Sequence, residues 1–239
     1  AENADVIDIL QQEYLAKGLT DPYYHALSRP TLVEVEATQR VIHLANLAGA
    51  PVYIVHVTAK EVMEVIRDAY IKGTPVYGET CTHYLMLDKE DLARPNFEGA
   101  KYVCSPALRE EEDREALWNA INKGWLNAVS SDHCGCNWEK QKTMGIDDFT
   151  NIPNGSPGVE NRLGILWTYG VNTGKISRQR LVDLYATTPA KINGIAHRKG
   201  HIGVGFDADI VVYDPTPVSI ISNETSLQGV DFNIYEGLK

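Results

Sequence analysis

No stretch of the 239 residues approaches the roughly 18–20 consecutive apolar positions of a membrane-spanning helix. Basic residues are outnumbered, 22 Lys and Arg against 32 Asp and Glu, for a formal net charge of −10. Phosphate backbones and anionic headgroups are held by clustered Lys and Arg, so neither nucleic acid nor a membrane is an expected partner. Cysteine is scarce as well. Cys81, Cys104, Cys134 and Cys136 contain no C-x-x-C pair, which argues against a zinc knuckle and a disulfide framework. Neither G-x-G-x-x-G nor a Walker sequence occurs, and Gly155 and Gly158 of "NIPNGSPGVENR" read as turn residues. The opening "AENADVIDILQQ" has no basic n-region and no apolar h-region, so it does not read as a secretory signal. What remains is an acidic globular chain with reduced thiols, expected in the cytoplasm.

What is present is an alternation. "ADVIDILQQEYLAKG" carries apolar residues at helical spacing and ends at Gly18. A second helix is predicted from Thr31 to about Leu47, after Ser28 and Pro30. "PVYIVHV", Pro51 to Val57, is too short for a helix and reads as a buried parallel strand. "AKEVMEVIRDAYIKG" reads as a helix, then "TPVYGETC" and "KYVCS" as strands. The helix "REEEDREALWNAINKG" leads into the strand "LNAVSSD", Leu126 to Asp132. Strands alternating with helices predict an α/β architecture with a parallel sheet. Helices are predicted again near 159–170 and 177–186, and the tail "HIGVGFDADIVVYDP" turns β-like. The predicted division is 1–195, the α/β part, and 196–239, part of a small β-domain.

In parallel α/β folds, chemistry sits at the C-terminal ends of strands. By that rule His56, ending "VYIVH", and Asp132, ending "NAVSSD", stand out. Each has a bland reading, a hydrogen-bonded core histidine and a loop carboxylate. Together an imidazole and a carboxylate at neighbouring strand ends suit a transition metal, although zinc normally takes at least three protein ligands. His83, in "TCTHYL", faces the same rim and is a candidate pocket residue. His25 and His43 read as packing or surface residues, and His133 as pointing away from Asp132.

"IVHVTA", "GETCTHYLMLD", "KYVCSPALRE", "LNAVSSDHC", "DDFTNIPNGSPGVENR" and "GFDADIVVYDP" occur in this order. As a set they resemble the dihydropyrimidinase/D-hydantoinase family of cyclic amidohydrolases, and the resemblance covers essentially the whole chain. It implies part of a (β/α)₈ TIM barrel, about strands six to eight with their helices, plus the start of a flanking C-terminal β-sandwich in which "FNIYEGLK" ends. It implies two divalent metal ions, zinc in most members, bridged by a carboxylated lysine. His56 matches the sixth-strand metal ligand. Asp132 matches the eighth-strand ligand, which also carries the catalytic proton. Ser105 and Asn154 match positions that hold the cyclic amide through main-chain groups. No H-x-H pair and no matching lysine occur in this chain. The resemblance places a further histidine directly before a segment like "AENADVI". The chain is therefore expected to be a C-terminal portion, inactive by itself, of a larger enzyme.

The implied reaction is metal-dependent opening of a dihydropyrimidine or hydantoin ring to an N-carbamoyl amino acid, in a homo-oligomer, a dimer or tetramer. A cyclic ureide is the implied partner. The alternatives are a related cyclic amidohydrolase, of allantoinase or dihydroorotase type, and a non-catalytic scaffold of the same fold. A carboxylated ring calls for a cationic anchor, whereas "CSPALR" and "IPNG" offer main-chain recognition. A scaffold has no use for both His56 and Asp132.

Overall fold

The computed structural model describes residues 1–239. Asn3 starts α1 (Ala4–Ala16), its side chain accepting the Val6 N–H. A short α2 (Tyr23–Leu27), absent from the sequence reading, leads to α3 (Thr31–Ala48). Gly49 closes α3 in the left-handed conformation, φ 64°, which a residue with a Cβ adopts only under strain. Then follow β1 (Val52–Ile54), α4 (Lys60–Ile71), β2 (Val76–Cys81), α5 (Thr82–Met86), α6 (Glu111–Lys123) and β3 (Ala128–Ser130). The three strands form a parallel sheet in the order β1-β2-β3, with Val52 opposite Val76 and Glu79 opposite Ala128.

The strands are buried on their helix side. Helix α3 packs on α4, and α4 on α6. Gly78 of β2 marks the closest approach: a Cβ there would stand 2.7 Å from Leu126 and 3.3 Å from Ile66 of α4. Ile54, Val57, Val62, Ile66, Leu117, Ile121 and Leu126 share one core. Each such side chain contributes about 1.5–3 kcal/mol through burial.

Two predicted strands are shorter in the structure. β1 stops at Ile54 and β3 at Ser130, because the chain turns to positive φ at His56 (42°) and Asp132 (44°) and leaves the ladder. "KYVCS" is not a strand. It closes a 3₁₀ turn, Glu98–Tyr102, and its Val103 carbonyl accepts from the Gly155 N–H and the Lys142 amine instead of a neighbouring strand.

Beyond β3, helical segments run over Arg162–Val171 and Arg178–Ile192, each partly wound in wider π-type turns. The β-like tail forms no ladder in residues 196–239. Ile202, Val204 and Val212 are 84%, 106% and 93% exposed. Further on, Phe232, Ile234 and Tyr235 join the core around the sheet, and the Tyr235 hydroxyl donates to Thr82 Oγ1 at 2.9 Å. "FNIYEGLK" thus packs beside α5 through Tyr235. Aromatic and aliphatic residues there gain more from the existing core than from an unpaired strand.

Candidate active site

Three strand ends open on one rim. His56 lies two residues beyond β1, Cys81 ends β2, His83 lies in the first turn of α5, and Asp132 lies two residues beyond β3. His56 and Asp132 take left-handed backbone, a strain of about 1–3 kcal/mol each that persists only where the surroundings enforce it. At His56 the enforcement is visible. The next residue, Val57, donates its N–H to the Glu79 carbonyl at 2.7 Å and accepts from Thr80 Oγ1 at 2.7 Å. After Asp132, His133 bridges to Ser156, and Cys134 donates to the Ser156 carbonyl at 3.0 Å. The His133 Nδ1 accepts the Gly158 N–H at 3.2 Å, which commits that ring to the loop.

The imidazoles on the rim are unusually free. His83 is buried with neither ring nitrogen hydrogen-bonded, and the His56 Nδ1 is buried without a partner. Burial first, and then the neighbouring His56, pushes the His83 pKa down to about 3. Burial also lowers the His56 pKa, while the Asp132 carboxylate acts in the opposite direction. Ligand atoms of Cys81, His83 and Asp132 all lie within 4.8 Å of one another. His56 is outside that tight group, but its imidazole is close enough to Asp132 and His83 to interact electrostatically with both.

Ser105 and Asn154 come from separate loops and meet: Ser105 Oγ donates to Asn154 Oδ1 at 3.0 Å. Neither lies in a helix or strand. A cavity of about 430 Å³ has His56 and Ser105 in its wall, with Tyr53, Ile54 and Glu2. No Lys or Arg lines it. A larger cavity, about 870 Å³, lies between the 163–190 helices and residues 193–213, and none of the strand-end residues lines it.

Below the rim the side of the sheet away from the helices is polar. The Tyr53 hydroxyl and Ser130 Oγ donate to the two oxygens of Glu79, at 2.5 and 2.8 Å, and Ser130 Oγ lies 3.2 Å from Cys81 Sγ. Burial pushes the Cys81 thiol well above its ordinary pKa. A second network lies under β1. Glu34 and Arg109 form a buried ion pair at 2.9 Å, and Glu34 accepts from the Thr58 N–H at 3.2 Å. Arg109 also donates to Thr58 Oγ1 and to the Arg29 carbonyl. Arg29 in turn donates to His25 Nδ1 at 3.1 Å, which leaves His25 Nε2–H to donate to the Cys104 carbonyl at 2.8 Å. His25 is a buried buttress of the Ser105 loop.

The sequence reading passed over Cys81 and weighed His83 only as a pocket residue. The rule that picked out His56 and Asp132, a polar residue at a strand's C-terminal end, applies equally to "ETCTH". Glu34, Arg109 and His25 carried no such signal, because a long-range ion pair has no local pattern.

Comparison with known proteins agrees in kind. The amidohydrolase family profile matches residues 25–238. D-hydantoinase of Geobacillus stearothermophilus is 49% identical over 239 residues, 100% of this chain and 51% of the relative. D-hydantoinase of Ralstonia pickettii is 49% identical over the same length, 52% of its own chain. The crystal structure of dihydropyrimidinase from Brevibacillus agri NCHU1002 superposes with a TM-score of 0.98 at 50% identity, over 100% of this chain and 52% of that one. The chain thus spans about half the length of the curated relatives it matches.

Proposed function

The chain belongs to the amidohydrolase family, and from that premise we propose that its strand-end rim serves the metal-dependent hydrolysis of cyclic amides, opening a dihydropyrimidine or hydantoin ring to an N-carbamoyl amino acid. The observation that supports this reading most is the set of imidazole nitrogens without hydrogen-bond partners, on His56 and His83, beside the Asp132 carboxylate. Buried polar atoms are nearly always hydrogen-bonded, so lone pairs left free at a strand end suit a metal ion. We assign His56 and Asp132 as its ligands. The full site on this reading holds two divalent ions, zinc first, bridged by a carboxylated lysine that these residues do not include. Bound there, such ions polarise the amide carbonyl and lower the pKa of the attacking water.

The chain's own groups do the rest. The Asp132 carboxylate takes the proton of the attacking water and passes it to the leaving ring nitrogen. Ser105 and Asn154 orient the ring. Their side chains satisfy each other, which leaves main-chain groups free for the ureide edge and adds no charge. The cavity wall beside His56 carries the Glu2 carboxylate and no Lys or Arg side chain. That disfavours a carboxylated ring of the dihydroorotate type and favours a neutral cyclic ureide. The relatives' names, D-hydantoinase and dihydropyrimidinase, point to the same substrate class.

The architecture proposed with this function is a closed (β/α)₈ barrel, to which 1–195 contributes about strands six to eight. It is supported by α3, α4 and α6 packing side by side. Residues 196–239 are assigned to the flanking β-sandwich, with 232–235 docked back on the barrel, and the enzyme to a cytoplasmic homo-oligomer. A ring-opening assay of the metal-loaded enzyme on dihydrouracil, hydantoin, allantoin and dihydroorotate tests the reading. The expected result is turnover of the first two, lost on chelation and restored by zinc. Turnover of dihydroorotate alone, or no metal dependence, would overturn it.

A further inference from the structure

Lys142 is the buried charge that this function leaves unexplained. It opens the Lys142–Gly145 turn and is fully buried, yet no carboxylate pairs with it. Its Nζ donates to the Val103 carbonyl at 2.9 Å and to the Pro153 carbonyl at 2.7 Å. Three thiols, of Cys136, Cys104 and Cys134, are the groups that act on it electrostatically, and burial brings its pKa down to about 8. An unpaired buried ammonium is costly and is commonly replaced by an apolar residue unless its donors are used. Here both acceptors belong to the substrate loops. Val103 lies two residues before Ser105, and Pro153 directly precedes Asn154.

We propose that Lys142 is the positioning residue of the ureide subsite: its amine clamps the Val103 and Pro153 carbonyls and so fixes the spacing between the Ser105 and Asn154 main-chain groups. The inference rests on the substrate assignment made above for those two residues. Neutral links also join the same loops: the Gly155 N–H to the Val103 carbonyl at 3.0 Å, Ser105 Oγ to Asn154 Oδ1 at 3.0 Å and Ser156 Oγ to the Lys101 carbonyl at 2.9 Å. They hold the loops in contact without the lysine. Lys142 differs from them in being a buried charged donor that takes one carbonyl from each loop at once. His25 separately braces the Cys104 carbonyl, one residue before Ser105.

The test uses Lys142→Met, which keeps the length and removes the donors, and Lys142→Ala, which leaves room for an added amine. In the metal-loaded enzyme, KM for hydantoin should rise about tenfold or more in Lys142→Met, the loss expected for hydrogen bonds from a charged donor, with kcat and bound metal near wild type. Propylammonium should restore KM in Lys142→Ala, and tetramethylammonium, which has no N–H, should not. Hydrogen exchange read on the 103–106 and 153–156 peptides should quicken in Lys142→Met while α4 stays protected. Unchanged KM with unchanged exchange would overturn the proposal, as would loss of metal and kcat together without amine rescue. A wild-type enzyme inert toward every cyclic ureide would remove the substrate assignment, and the exchange measurement would still decide the clamp.

Discussion

The strand ends at His56 and Asp132 and the segment 202–220 carry the same kind of sequence, short β-branched runs, and reach opposite outcomes. "VYI" finds Val76–Gly78 alongside, because α4 returns the chain parallel to it, and the resulting ladder buries Ile54 to 5% exposure. "DIVVYD" meets no strand, and Val212 stays 93% exposed. Local pattern states a preference for extended backbone; a partner in register converts it into a sheet. Function follows the same division. The paired region ends in strained backbone at His56 and Asp132 and in imidazole nitrogens without hydrogen-bond partners. The unpaired one offers apolar surface and a row of open backbone groups.

The largest effect that would break this contrast belongs to the paired region. In the metal-loaded enzyme Asp132→Ala should lower kcat for hydantoin about 10³-fold or more, since on the proposed reading it removes a metal ligand and a proton carrier together. His56→Ala should lower metal content and activity in parallel, which elemental analysis beside the rate assay measures. Near-normal turnover by the Asp132 variant would place the chemistry elsewhere.

Next in size is the network beneath β1. Arg109→Met leaves Glu34 buried and unpaired and should cost about 3–5 kcal/mol in urea unfolding. Glu34→Gln combined with Arg109→Met should recover part of that loss, because the stranded charge is gone. Equal losses in the single and double variants would show that the pair acts through packing alone.

Acid sensitivity comes third. Burial first, and then the Arg29 charge, holds the His25 pKa well below 6.5. Below about pH 6.5 the unfolded chain binds a proton that the folded chain refuses, so stability rises with pH and falls on acidification by at most ~1.4 kcal/mol per pH unit from this group. His25→Gln should flatten the difference between urea midpoints at about pH 7 and about pH 5. An unchanged slope would mean that His25 takes up its proton without unfolding.

The smallest effect sharpens the other side. Val212→Lys should change unfolding free energy by less than about 0.5 kcal/mol, because the side chain touches little. It should reduce self-association in sedimentation if the open segment pairs between copies, as exposed edges do. A large loss of stability would reveal packing that its exposure does not suggest.

Much of the paired region was legible in the sequence. Capping residues and left-handed glycines set the limits of α1, α3 and α6 to within a residue or two, and short apolar runs marked β1, β2 and β3. The strand-end rule found His56 and Asp132. What escaped it was long-range. Nothing local in "EKQKTMG" separates the buried Lys142 from a surface lysine, because its burial is made by Val103 and Pro153 from other loops. "KYVCS" failed as a strand for the same reason: the acceptor at Val103 was taken by a lysine and by Gly155. Phe232–Tyr235 has the composition of a strand but packs on α5, where Tyr235 is buried in the core and hydrogen-bonds Thr82, and no strand lies alongside it.

The central claim is that His56 and Asp132 hold the metal. Cys81 and His83 stand within ligand reach of Asp132 and are the competing donors. Burial pushes the Cys81 thiol above its ordinary pKa, so ligation through it requires the metal to displace that proton. Cobalt separates the two sets, because a cobalt–thiolate bond gives an intense near-ultraviolet band that nitrogen and oxygen donors do not. The cobalt-loaded enzyme should show no such band, Cys81→Ser should bind cobalt like wild type, and His56→Ala and Asp132→Ala should lose it. A thiolate band that disappears in Cys81→Ser while His56→Ala binds normally would contradict the assignment.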